Sequence, residues 1–448
     1  MSREPLDLAL RASHVLTMDA FDRCLMPGFV GIRDGRIVSV EPYSAGMERS
    51  WSPKRFLSLD SHIVFPGLIN VHTHLGMGFF RGIEDDLPLD AWLKKWIFPL
   101  EASIVTEEVV YAASLLGMVQ MLLSGTTTFV DMYYFEEATA RAAEKLGMRA
   151  FLGPGVLDMP TPGAPNAEAG NRMLEGFIER YSGHPHITPI LAPHAPYTCS
   201  DSTLKGLRAL KERFGLRATI HVQETQGELM EGLRRFGRTP LARLEKLGFL
   251  DPGVLCAHMV WLGAGDKDVL MRARPAVAHC PNSNLKLGSG FCNVSELRDI
   301  GLFVGIGTDS VASNDSLDMI REMKTAALLQ KALHADPSRM SAKETLRLAT
   351  SEASKALGID DQVGSLEVGK KADLAAAKID TVRDFPCQDP YAHLVYTLTG
   401  HHVSTVLLEG RVSVFEGCLV NDPTEEAFDA WQEASSRVRK ELRRLRKA

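Results

Sequence analysis

The stretch FPGLINVHTHLGM, residues 65–77, ends an apolar run with two histidines one residue apart, His72 and His74. Residues i and i+2 of an extended strand point to the same side, so the two imidazoles converge on one point just beyond the strand end. That point suits a metal ion, but two histidines that happen to fall in a loop would give the same pattern. The rest of the chain has to decide between these interpretations.

The middle of the chain alternates short β-rich runs with segments of helical periodicity. Eight runs have the length and composition of strands, namely residues 62–71, 126–132, 149–157, 187–193, 217–222, 253–258, 275–280 and 302–308. Strand and helix alternating in this way over roughly 300 residues predict an α/β fold, the (β/α)₈ or TIM barrel. A doubly wound open sheet is the alternative, but it would have a glycine-rich phosphate turn after its first strand, and G-x-G-x-x-G is absent there.

Both ends of the chain carry hairpin patterns. GFVGIRDGRIVSVEP (28–42) turns at Asp34-Gly35, and VSTVLLEGRVSVFEG (403–417) repeats the strand, turn, strand order. Neither end can bury a sheet face alone, so we expect them to pack together as one small β-sandwich. The predicted domains are residues 1–64 plus 364–420 for the sandwich, 65–363 for the barrel, and 421–448 for a basic C-terminal helix.

Composition limits the partners of the chain. The 448 residues carry a net charge of −6, which disfavours binding to nucleic acid and favours a small-molecule substrate. The 7 cysteines are scattered without C-x-x-C spacing, as is typical of reduced thiols in a cytoplasmic protein. No apolar run approaches the length of about 18 residues that a membrane helix needs. A homo-oligomer is compatible with these features.

Histidines and acidic residues follow most of the predicted strands. In a barrel the chemistry collects at the carboxyl ends of the strands, so these residues are expected to face one another. In chain order they are His72 and His74, Asp131, His194, His221 and Glu224, His258, His279 and Asp309. A single histidine of this kind is usually part of the core, but so many at one end of a barrel indicate a functional site.

The set His-x-His after strand one, His after strands five and six and Asp after strand eight resembles the amidohydrolase superfamily. Its fold is this barrel flanked by a small β-sandwich from both termini. The motifs HTHLGMGFFRGIEDDLPLDAWL, HVQET, NSNLKLGSG and GTDSVASNDSLDM are similar to the 5′-methylthioadenosine/S-adenosylhomocysteine deaminase group and its chlorohydrolase-like relatives.

The resemblance implies one divalent metal ion, held by His72, His74, His221 and Asp309. Three imidazoles and one carboxylate suit zinc, and the same set also suits iron. Relatives with two metals use a bridging lysine after strand four, and ILAPHAPY (190–197) has none. We therefore expect a single ion, which would lower the pKa of its bound water to about 7.

The resemblance also implies hydrolytic deamination of an adenine nucleoside. In that chemistry Asp309 accepts the proton of the metal-bound water, and His258 directs the attack. Glu224, three residues after His221, protonates the ring nitrogen beside the attacked carbon as a general acid. The products are the 6-oxo nucleoside and ammonia.

Substrate contacts follow from the same resemblance. Glu101 matches the carboxylate that binds the ribose hydroxyls, and His194 matches a substrate-contacting histidine. Trp92 and Phe79 are candidates for the walls around a flat ring, although aromatic residues at such positions are often simply core.

The segment after strand three departs from the family pattern. Relatives that bind S-adenosylhomocysteine have an arginine there, whereas Pro154 stands here and residues 155–171 contain no arginine. This favours 5′-methylthioadenosine, adenosine or 5′-deoxyadenosine over S-adenosylhomocysteine as the substrate. Arg172 is a candidate substitute for the missing arginine.

Three alternatives stay open. An s-triazine chloro- or aminohydrolase would use the same metal chemistry, but a triazine has no ribose for Glu101 to bind. A guanine or pterin deaminase is the second alternative. A catalytically silent metal-binding barrel is the third, and it would be expected to have lost a ligand or the acid Glu224. The unrelated zinc deaminases with H-x-E and P-C-x-x-C motifs are excluded because that pattern is absent.

Overall fold

The computed structural model describes residues 5–379 and 382–447. Their contacts divide the chain into two compact units. One unit comprises Met1–Asn70, Val119–Thr128 and Asp318–Asp422, and the other comprises Val71–Met118, Phe129–Leu317 and Pro423–Ala448. The predicted domain ranges 1–64, 364–420 and 421–448 include residues 1–4, 380–381 and 448, which lie outside the described residues. The domain limits stay a prediction.

The strands of the described residues are β1 Leu8–Leu16, β2 Cys24–Leu25, β3 Gly28–Arg33, β4 Arg36–Pro42, β5 Arg55–Pro66, β6 Leu68–Thr73, β7 Thr126–Tyr133, β8 Arg149–Val156, β9 Ile187–Pro189, β10 Ala192–Pro193, β11 Ala218–Val222, β12 Val254–His258, β13 Ala276–His279, β14 Val304–Ile306, β15 Leu374–Lys378, β16 Val403–Leu408, β17 Arg411–Phe415 and β18 Cys418–Leu419.

The α-helices are α1 Met47–Trp51, α2 Leu89–Trp92, α3 Phe98–Ile104, α4 Glu107–Leu123, α5 Glu136–Leu146, α6 Ala167–Tyr181, α7 Asp201–Phe214, α8 Gln226–Phe236, α9 Pro240–Lys246, α10 Asp266–Ala273, α11 Pro281–Lys286, α12 Val294–Asp299, α13 Val311–Asn314, α14 Met319–His334, α15 Ala342–Leu348, α16 Ser351–Leu357, α17 Pro390–Ala392 and α18 Thr424–Leu445. Short 3₁₀ helices span Leu75–Phe80 and Gly400–His402, and π-helical turns span Leu93–Ile97 and His393–Thr397.

The first unit contains a 9-stranded sheet built from both ends of the chain. Its strand order is β18-β17-β16-β15-β5-β1-β3-β4, with β2 paired to β1. The two ends of the chain meet where β5 and β15 pair antiparallel. This is the joint terminal domain that the hairpin patterns predict.

The core of this unit collects residues from strands near opposite ends of the sheet. Leu10 of β1 and Ile37 of β4 belong to the same buried cluster as Leu407 of β16 and Val412 of β17. Since β4 and β17 are far apart in the strand order, the sheet folds over itself and encloses this core between its halves. A sandwich buries its inner faces in the same way.

The barrel is made of two parallel sheets that are joined at both edges. One sheet has the order β10-β8-β7-β6, with β9 also paired to β8, and the other has the order β11-β12-β13-β14. Parallel bridges between Thr73 and Asp309 and between Leu191 and Ala218 connect the sheet edges and close the barrel. Because β9 and β10 form one interrupted strand, the barrel has eight positions, and the predicted fold is confirmed.

The first predicted strand, residues 62–71, is in fact parts of two strands. The apolar run is continuous in sequence, but β5 belongs to the 9-stranded sheet and β6 belongs to the barrel, with Gly67 between them. A Cβ on Gly67 would lie only 2.2 Å from Thr127 Oγ1, so only glycine fits at this crossing point.

The predicted C-terminal helix is α18. It buries Ala434 and Val438 against a core cluster of the second unit that also contains Trp92, Leu100 and Ile104.

No single helix among residues 5–379 and 382–447 has the length and apolar character to cross a membrane. The pair Leu89–Ile104 and Glu107–Leu123 has them only when the two are taken together, and the pair is bent by 111°.

Candidate metal centre and active site

The four predicted metal ligands lie at the carboxyl ends of barrel strands in the second unit. His72 is the penultimate residue of β6, and His74 is the first residue after that strand. His221 is in β11, and Asp309 comes shortly after β14. His72 is fully buried, and His221 and Asp309 are each less than a tenth exposed. Backbone pairing between Thr73 and Asp309 brings the first and last strand ends together.

The donor atoms of these residues face one another. His74 Nε2 lies 3.2 Å from His221 Nε2 and 3.2 Å from Asp309 Oδ1. His72 Nε2 lies 3.6 Å from the same carboxylate oxygen. Two ligands bound to one tetrahedral zinc ion at about 2.0–2.1 Å are themselves about 3.3 Å apart, so these separations fit a single ion.

His258 belongs to the same cluster. His72, His221 and His258 also offer nitrogen atoms that all lie within 4.8 Å of one another. The ring of His258 stacks on that of His221 with a centroid distance of 5.4 Å. The five side chains together offer four imidazoles and one carboxylate. We call His72, His74, His221, His258 and Asp309 the metal donor cluster.

The protonation states suit a cation. Burial, followed by the neighbouring His74, lowers the pKa of His72 well below its usual value, and burial does the same for His221, so both rings are neutral and could act as metal ligands. Burial also opposes a charge on His74, but the hydrogen bond and negative charge of Asp309 raise the pKa of His74 to about 9. The Asp309 carboxylate therefore stabilises a positive charge between these side chains, and a bound metal ion would carry such a charge.

Backbone carbonyls fix the orientation of two ligand rings. His74 Nδ1 donates to Met132 O at 2.6 Å, and His221 Nδ1 donates to His194 O at 2.6 Å. A carbonyl oxygen only accepts, so both Nδ1 atoms carry hydrogen, and the Nε2 atom of each ring is the one that faces the cluster.

Asp131 supports His74 through the residues on either side of it rather than joining the donor cluster. Its Oδ1 accepts hydrogen bonds from Thr73 Oγ1 at 2.5 Å and from the Leu75 amide at 2.7 Å. These two residues flank His74 in sequence. A fully buried carboxylate therefore holds the ligand-bearing segment from both sides.

Left-handed backbone conformations occur next to the cluster at four non-glycine residues. Gln223, His258, Met259 and Asp309 have φ values of +53°, +73°, +49° and +62°. Such conformations cost about 1–3 kcal/mol each in non-glycine residues and tend to occur at functional sites. Here they turn the chain sharply at the ends of β11, β12 and β14.

Glu224 is a buried acid beside this cluster. Burial raises its pKa, although the nearby His258 opposes the shift. Glu224 Oε2 lies 3.7 Å from His258 Nε2, and Ser289 Oγ donates to Glu224 Oε1 at 3.1 Å. By contrast, His74 and its neighbours hold the pKa of the Asp309 carboxyl well below its usual value even though burial opposes this. The pKa values of the two carboxyl groups are therefore shifted in opposite directions.

A cavity connects the cluster with the predicted substrate contacts. It encloses about 710 Å³ of unfilled space, including the part open to solvent. Its walls include Trp92, Glu101, His194 and Glu224, and they contain no lysine or arginine among the described residues. The Trp92 indole donates to Ile83 O at 3.0 Å, which fixes its ring in the wall.

Glu101 lies in the cavity wall between two tyrosines. Tyr133 Oη donates to Glu101 Oε1 at 2.8 Å, and Tyr134 Oη donates to Oε2 at 3.5 Å. Burial raises the pKa of Glu101 to about 7, while the Tyr133 hydroxyl opposes the shift. The sequence reasoning missed both tyrosines, although they follow Asp131 at the end of a barrel strand.

Of three further predicted residues, His194 borders the cavity, whereas Phe79 and Arg172 do not. His194 Nδ1 bonds Thr198 Oγ1 at 3.0 Å, and burial lowers the pKa of His194 to about 3, so the ring is neutral. Phe79 packs against the core cluster and is outside the cavity walls. Arg172 is 65% exposed and pairs with Glu168, so it does not reach the cavity.

Four polar residues that contact the proposed reacting groups were also missed. Ser283 and Ser313 donate to Asp309 Oδ2 at 2.6 and 3.0 Å, and Asn284 Oδ1 lies 2.8 Å from His258 Nδ1. Ser289 is the fourth. The hints in the sequence were the motifs NSNLKLGSG and GTDSVASNDSLDM, which supported the family resemblance without a role for these four residues.

Comparisons with known proteins agree with this architecture. The amidohydrolase family matches residues 63–413. A protein from Syntrophobacter fumaroxidans named 5-methylthioadenosine/S-adenosylhomocysteine deaminase is 39% identical over 429 residues, which cover 96% of this chain and 98% of the relative. A 5′-deoxyadenosine deaminase from Methanosarcina mazei is 38% identical over 441 residues, with 96% and 99% coverage.

A solved structure gives the same picture. The crystal structure of an adenosine deaminase from Xanthomonas campestris with bound zinc has a TM-score of 0.94 at 33% identity, covering 98% of this chain and 100% of that chain.

The closed barrel and its cluster of imidazoles and carboxylate define a barrel enzyme with a histidine-rich metal site. The chain belongs to the amidohydrolase family. The predicted superfamily and fold are confirmed, and so is the predicted enzyme class, since the relatives are themselves named as deaminases.

Proposed function

We propose that the chain removes the 6-amino group of an adenine nucleoside by hydrolysis, giving the 6-oxo nucleoside and ammonia. The proposed substrates are 5′-methylthioadenosine, adenosine and 5′-deoxyadenosine, with S-adenosylhomocysteine less favoured. One observation carries the proposal: the metal donor cluster, the buried acid Glu224 and the tyrosine-held carboxylate Glu101 all border the same cavity. Relatives named as deaminases of these nucleosides support it.

His72, His74, His221 and Asp309 would hold one divalent ion, which we propose to be zinc, although the donor set also suits iron(II). When bound, such an ion lowers the pKa of a coordinated water from about 15.7 to about 7 and so makes a nucleophile available at neutral pH. The structure with bound zinc among the relatives supports this choice.

Glu224 is the proposed general acid. Its raised pKa favours the protonated carboxyl, which can donate a proton to the ring nitrogen N1 of adenine. Protonation of N1 draws electrons away from C6 and makes that carbon electrophilic, and the N1 proton stays in the 6-oxo product. General acid catalysis of this kind contributes about 10²–10⁴ in rate.

Asp309 and His258 are proposed to handle the attacking water. Asp309 is ionised in the site, so it can accept the proton that water loses on attack and return it to the exocyclic amine. The C6–N bond then breaks, ammonia leaves, and the proton of the new C6 hydroxyl is released as the 6-oxo group forms and restores the Glu224 carboxyl. His258 faces the cluster and Glu224, where it can hydrogen-bond the water and fix its direction of attack.

Glu101 is proposed to bind the ribose. A carboxylate can accept hydrogen bonds from both hydroxyls of a diol, and the two tyrosines hold its oxygens in place. His194 and Trp92 border the same cavity and are proposed to contact the substrate. A triazine has no diol, so this carboxylate favours a nucleoside over a triazine.

We also propose a cytoplasmic location, a small-molecule partner without nucleic acid or membrane, and a homo-oligomeric state. The 7 cysteines form no disulfide bond among the described residues, which supports a reducing compartment.

The test is an ammonia-release assay of the zinc-loaded protein against a panel of six compounds: 5′-methylthioadenosine, adenosine, 5′-deoxyadenosine, S-adenosylhomocysteine, guanine and a chlorotriazine. We expect release from the first three with the highest kcat/KM. Release from guanine alone, chloride release from the triazine alone, or no turnover of any adenine nucleoside would refute the proposal.

A further inference from the structure

The segment of residues 281–289, which follows β13 and contains α11, touches three different reacting groups. Ser283 Oγ donates to Asp309 Oδ2 at 2.6 Å, and Asn284 Oδ1 lies 2.8 Å from His258 Nδ1. Ser289 Oγ donates to Glu224 Oε1 at 3.1 Å. We call this segment the strand-seven loop.

The local fold explains how one short segment reaches three groups. Pro281 begins α11 directly after Cys280, so the polar residues Ser283 and Asn284 fall in the first turn of the helix. Consecutive helical residues point about 100° apart, which lets these two reach different partners. The helix then ends, and the Ser289 amide bonds back to Asn284 O at 2.8 Å, which brings the third side chain to the same edge.

The loop is anchored outside the reacting groups. Lys286 Nζ forms ion pairs with Asp85 at 2.8 Å and with Asp315. The Trp261 indole donates to Ser289 O at 2.6 Å. Gly290 has a φ of +124°, and a Cβ there would lie 2.9 Å from Val260 Cγ1, so the exit of the loop requires glycine. The three contacts are therefore held by a fixed segment.

We infer that the strand-seven loop is a positioning element for the proton transfers, in which Ser283, Asn284 and Ser289 orient Asp309, His258 and Glu224 respectively. None of the three loop residues borders the substrate cavity, so each acts through its partner. This inference rests on the proposed function for its kinetic consequences, while its structural consequences can be measured without turnover.

Each contact has a distinct chemical effect. An amide oxygen only accepts, so the Asn284 contact fixes the proton of His258 on Nδ1 and leaves the Nε2 lone pair facing Glu224. Ser283 donates to Oδ2 of Asp309, whereas His72 and His74 face Oδ1. The Ser283 contact therefore keeps Oδ1 directed at the histidines. Ser289 occupies Oε1 of Glu224 and leaves Oε2 as the oxygen nearer His258.

The first test needs no substrate and no turnover. Histidine-selective ¹⁵N NMR of the zinc-loaded protein, with His258→Gln for assignment, should show His258 as the Nδ1–H tautomer. In Asn284→Ala this preference should be lost. An Nε2–H tautomer in the unmodified protein would overturn the inference.

The second test is kinetic and uses 5′-methylthioadenosine. Asn284→Ala and Ser289→Ala should each lower kcat by about 10–100-fold, the usual effect of losing such an outer contact, with KM changed less than about twofold. Ser289→Thr, which keeps the hydroxyl, should restore most of the activity. Leu285→Ala is the matched control, because Leu285 lies on the same helix, is 41% exposed and should leave kcat unchanged.

The third test concerns the metal. Ser283→Ala should weaken zinc binding by about 10–100-fold in competition with a chelator, whereas Leu285→Ala should not. If Asn284→Ala and Ser289→Ala keep kcat within about twofold, or if Leu285→Ala loses as much as they do, the loop is not a positioning element. If the unmodified protein deaminates no adenine nucleoside, the proposed function fails, and the tautomer and zinc affinity then decide the inference alone.

Discussion

The hydroxyl of Tyr133 donates a 2.8 Å hydrogen bond to Oε1 of Glu101, inside a cavity that also contains the metal donor cluster. Tyr133 is fixed in turn by Glu136, whose Oε1 accepts from the Tyr133 amide at 2.8 Å. The end of one barrel strand therefore supports both the metal site, through Asp131 and Met132, and the proposed ribose carboxylate. Two ends of a bound nucleoside would thus be positioned by a single short segment.

Tyr133→Phe should impair binding of the ribose rather than the chemistry. A hydrogen bond to a charged group is worth about 1.5–3 kcal/mol, so KM for adenosine should rise about 10-fold or more while kcat changes little. Steady-state kinetics with adenosine and 2′,3′-dideoxyadenosine check this, because the second compound has no diol. Tyr134→Phe, which loses only the 3.5 Å contact, should have a smaller effect. An equal rise in KM for both compounds would contradict the role of Glu101.

The pKa of Glu101 predicts a pH-dependent KM. Burial raises this pKa to about 7, and Glu101 must be ionised to accept hydrogen bonds from both ribose hydroxyls. The ionised fraction grows as the pH rises through 7, so KM for adenosine should fall over the range from about pH 6 to 8. KM for 2′,3′-dideoxyadenosine should stay flat over this range, and so should KM for adenosine in Glu101→Gln. A pH-independent KM in the unmodified protein would show that Glu101 does not titrate there.

Much of the site could be predicted because its residues sit at the ends of regular strands. His72, His74, His221 and Asp309 occupy strand ends that hydrophobic patterns locate, and a barrel brings those ends together whatever the details of its packing. The fold needed only the alternation of strands and helices. The error at residues 62–71 arose because an apolar run continues through Gly67 while the chain passes from one sheet to another.

The supporting residues could not be predicted in the same way. Contacts such as Tyr133 to Glu101 or Asn284 to His258 join residues 32 and 26 positions apart and depend on helix orientation within about an ångström. No periodicity encodes such distances. The motif around Asn284 was visible in the sequence, but only the folded structure shows that Ser283, Asn284 and Ser289 contact three different residues.

Glu224→Gln should abolish proton donation while leaving the metal site intact. The amide is similar in size but has no carboxyl proton to transfer, so kcat should fall by about 10²–10⁴ or more. Zinc content measured by mass spectrometry should stay at the level of the unmodified protein. Glu228→Gln is a matched control, since Glu228 is a buried neighbour whose pKa burial raises to about 7 and whose Oε2 accepts from the Glu224 amide, a contact that glutamine can keep. Unchanged turnover in Glu224→Gln would remove this residue from the mechanism.

Asp131→Ala should weaken the metal site without touching a ligand. The change removes the acceptor of both hydrogen bonds that flank His74, so zinc affinity should fall by about 10–100-fold. Asp158→Ala is the control, because Asp158 also accepts from a backbone amide and a threonine hydroxyl but at a site outside the cavity. Both variants should lower the melting temperature, and only Asp131→Ala should lower zinc affinity in a chelator competition. Equal zinc affinity in the two variants would reduce Asp131 to a purely structural role.

The cavity predicts which 5′ substituents are accepted. Its described walls carry no lysine or arginine, and Arg172, the candidate substitute, is engaged with Glu168 on the surface. A carboxylate tail would therefore lack a hydrogen-bonded charge partner worth about 1.5–3 kcal/mol, so kcat/KM for 5′-methylthioadenosine should exceed that for S-adenosylhomocysteine by about 10-fold or more. Arg172→Ala should leave this ratio unchanged.

The adjoining surface groove sets the control for this prediction. The groove shares Leu93 and Tyr197 with the cavity and is lined by two basic residues, Lys94 and Arg235. Lys94 already pairs with Asp90 at 2.6 Å, so its attraction for a further carboxylate is weaker. If S-adenosylhomocysteine is nevertheless the better substrate, and Lys94→Ala or Arg235→Ala lowers its kcat/KM without affecting 5′-methylthioadenosine, then the groove supplies the missing charge and the preference predicted here is wrong.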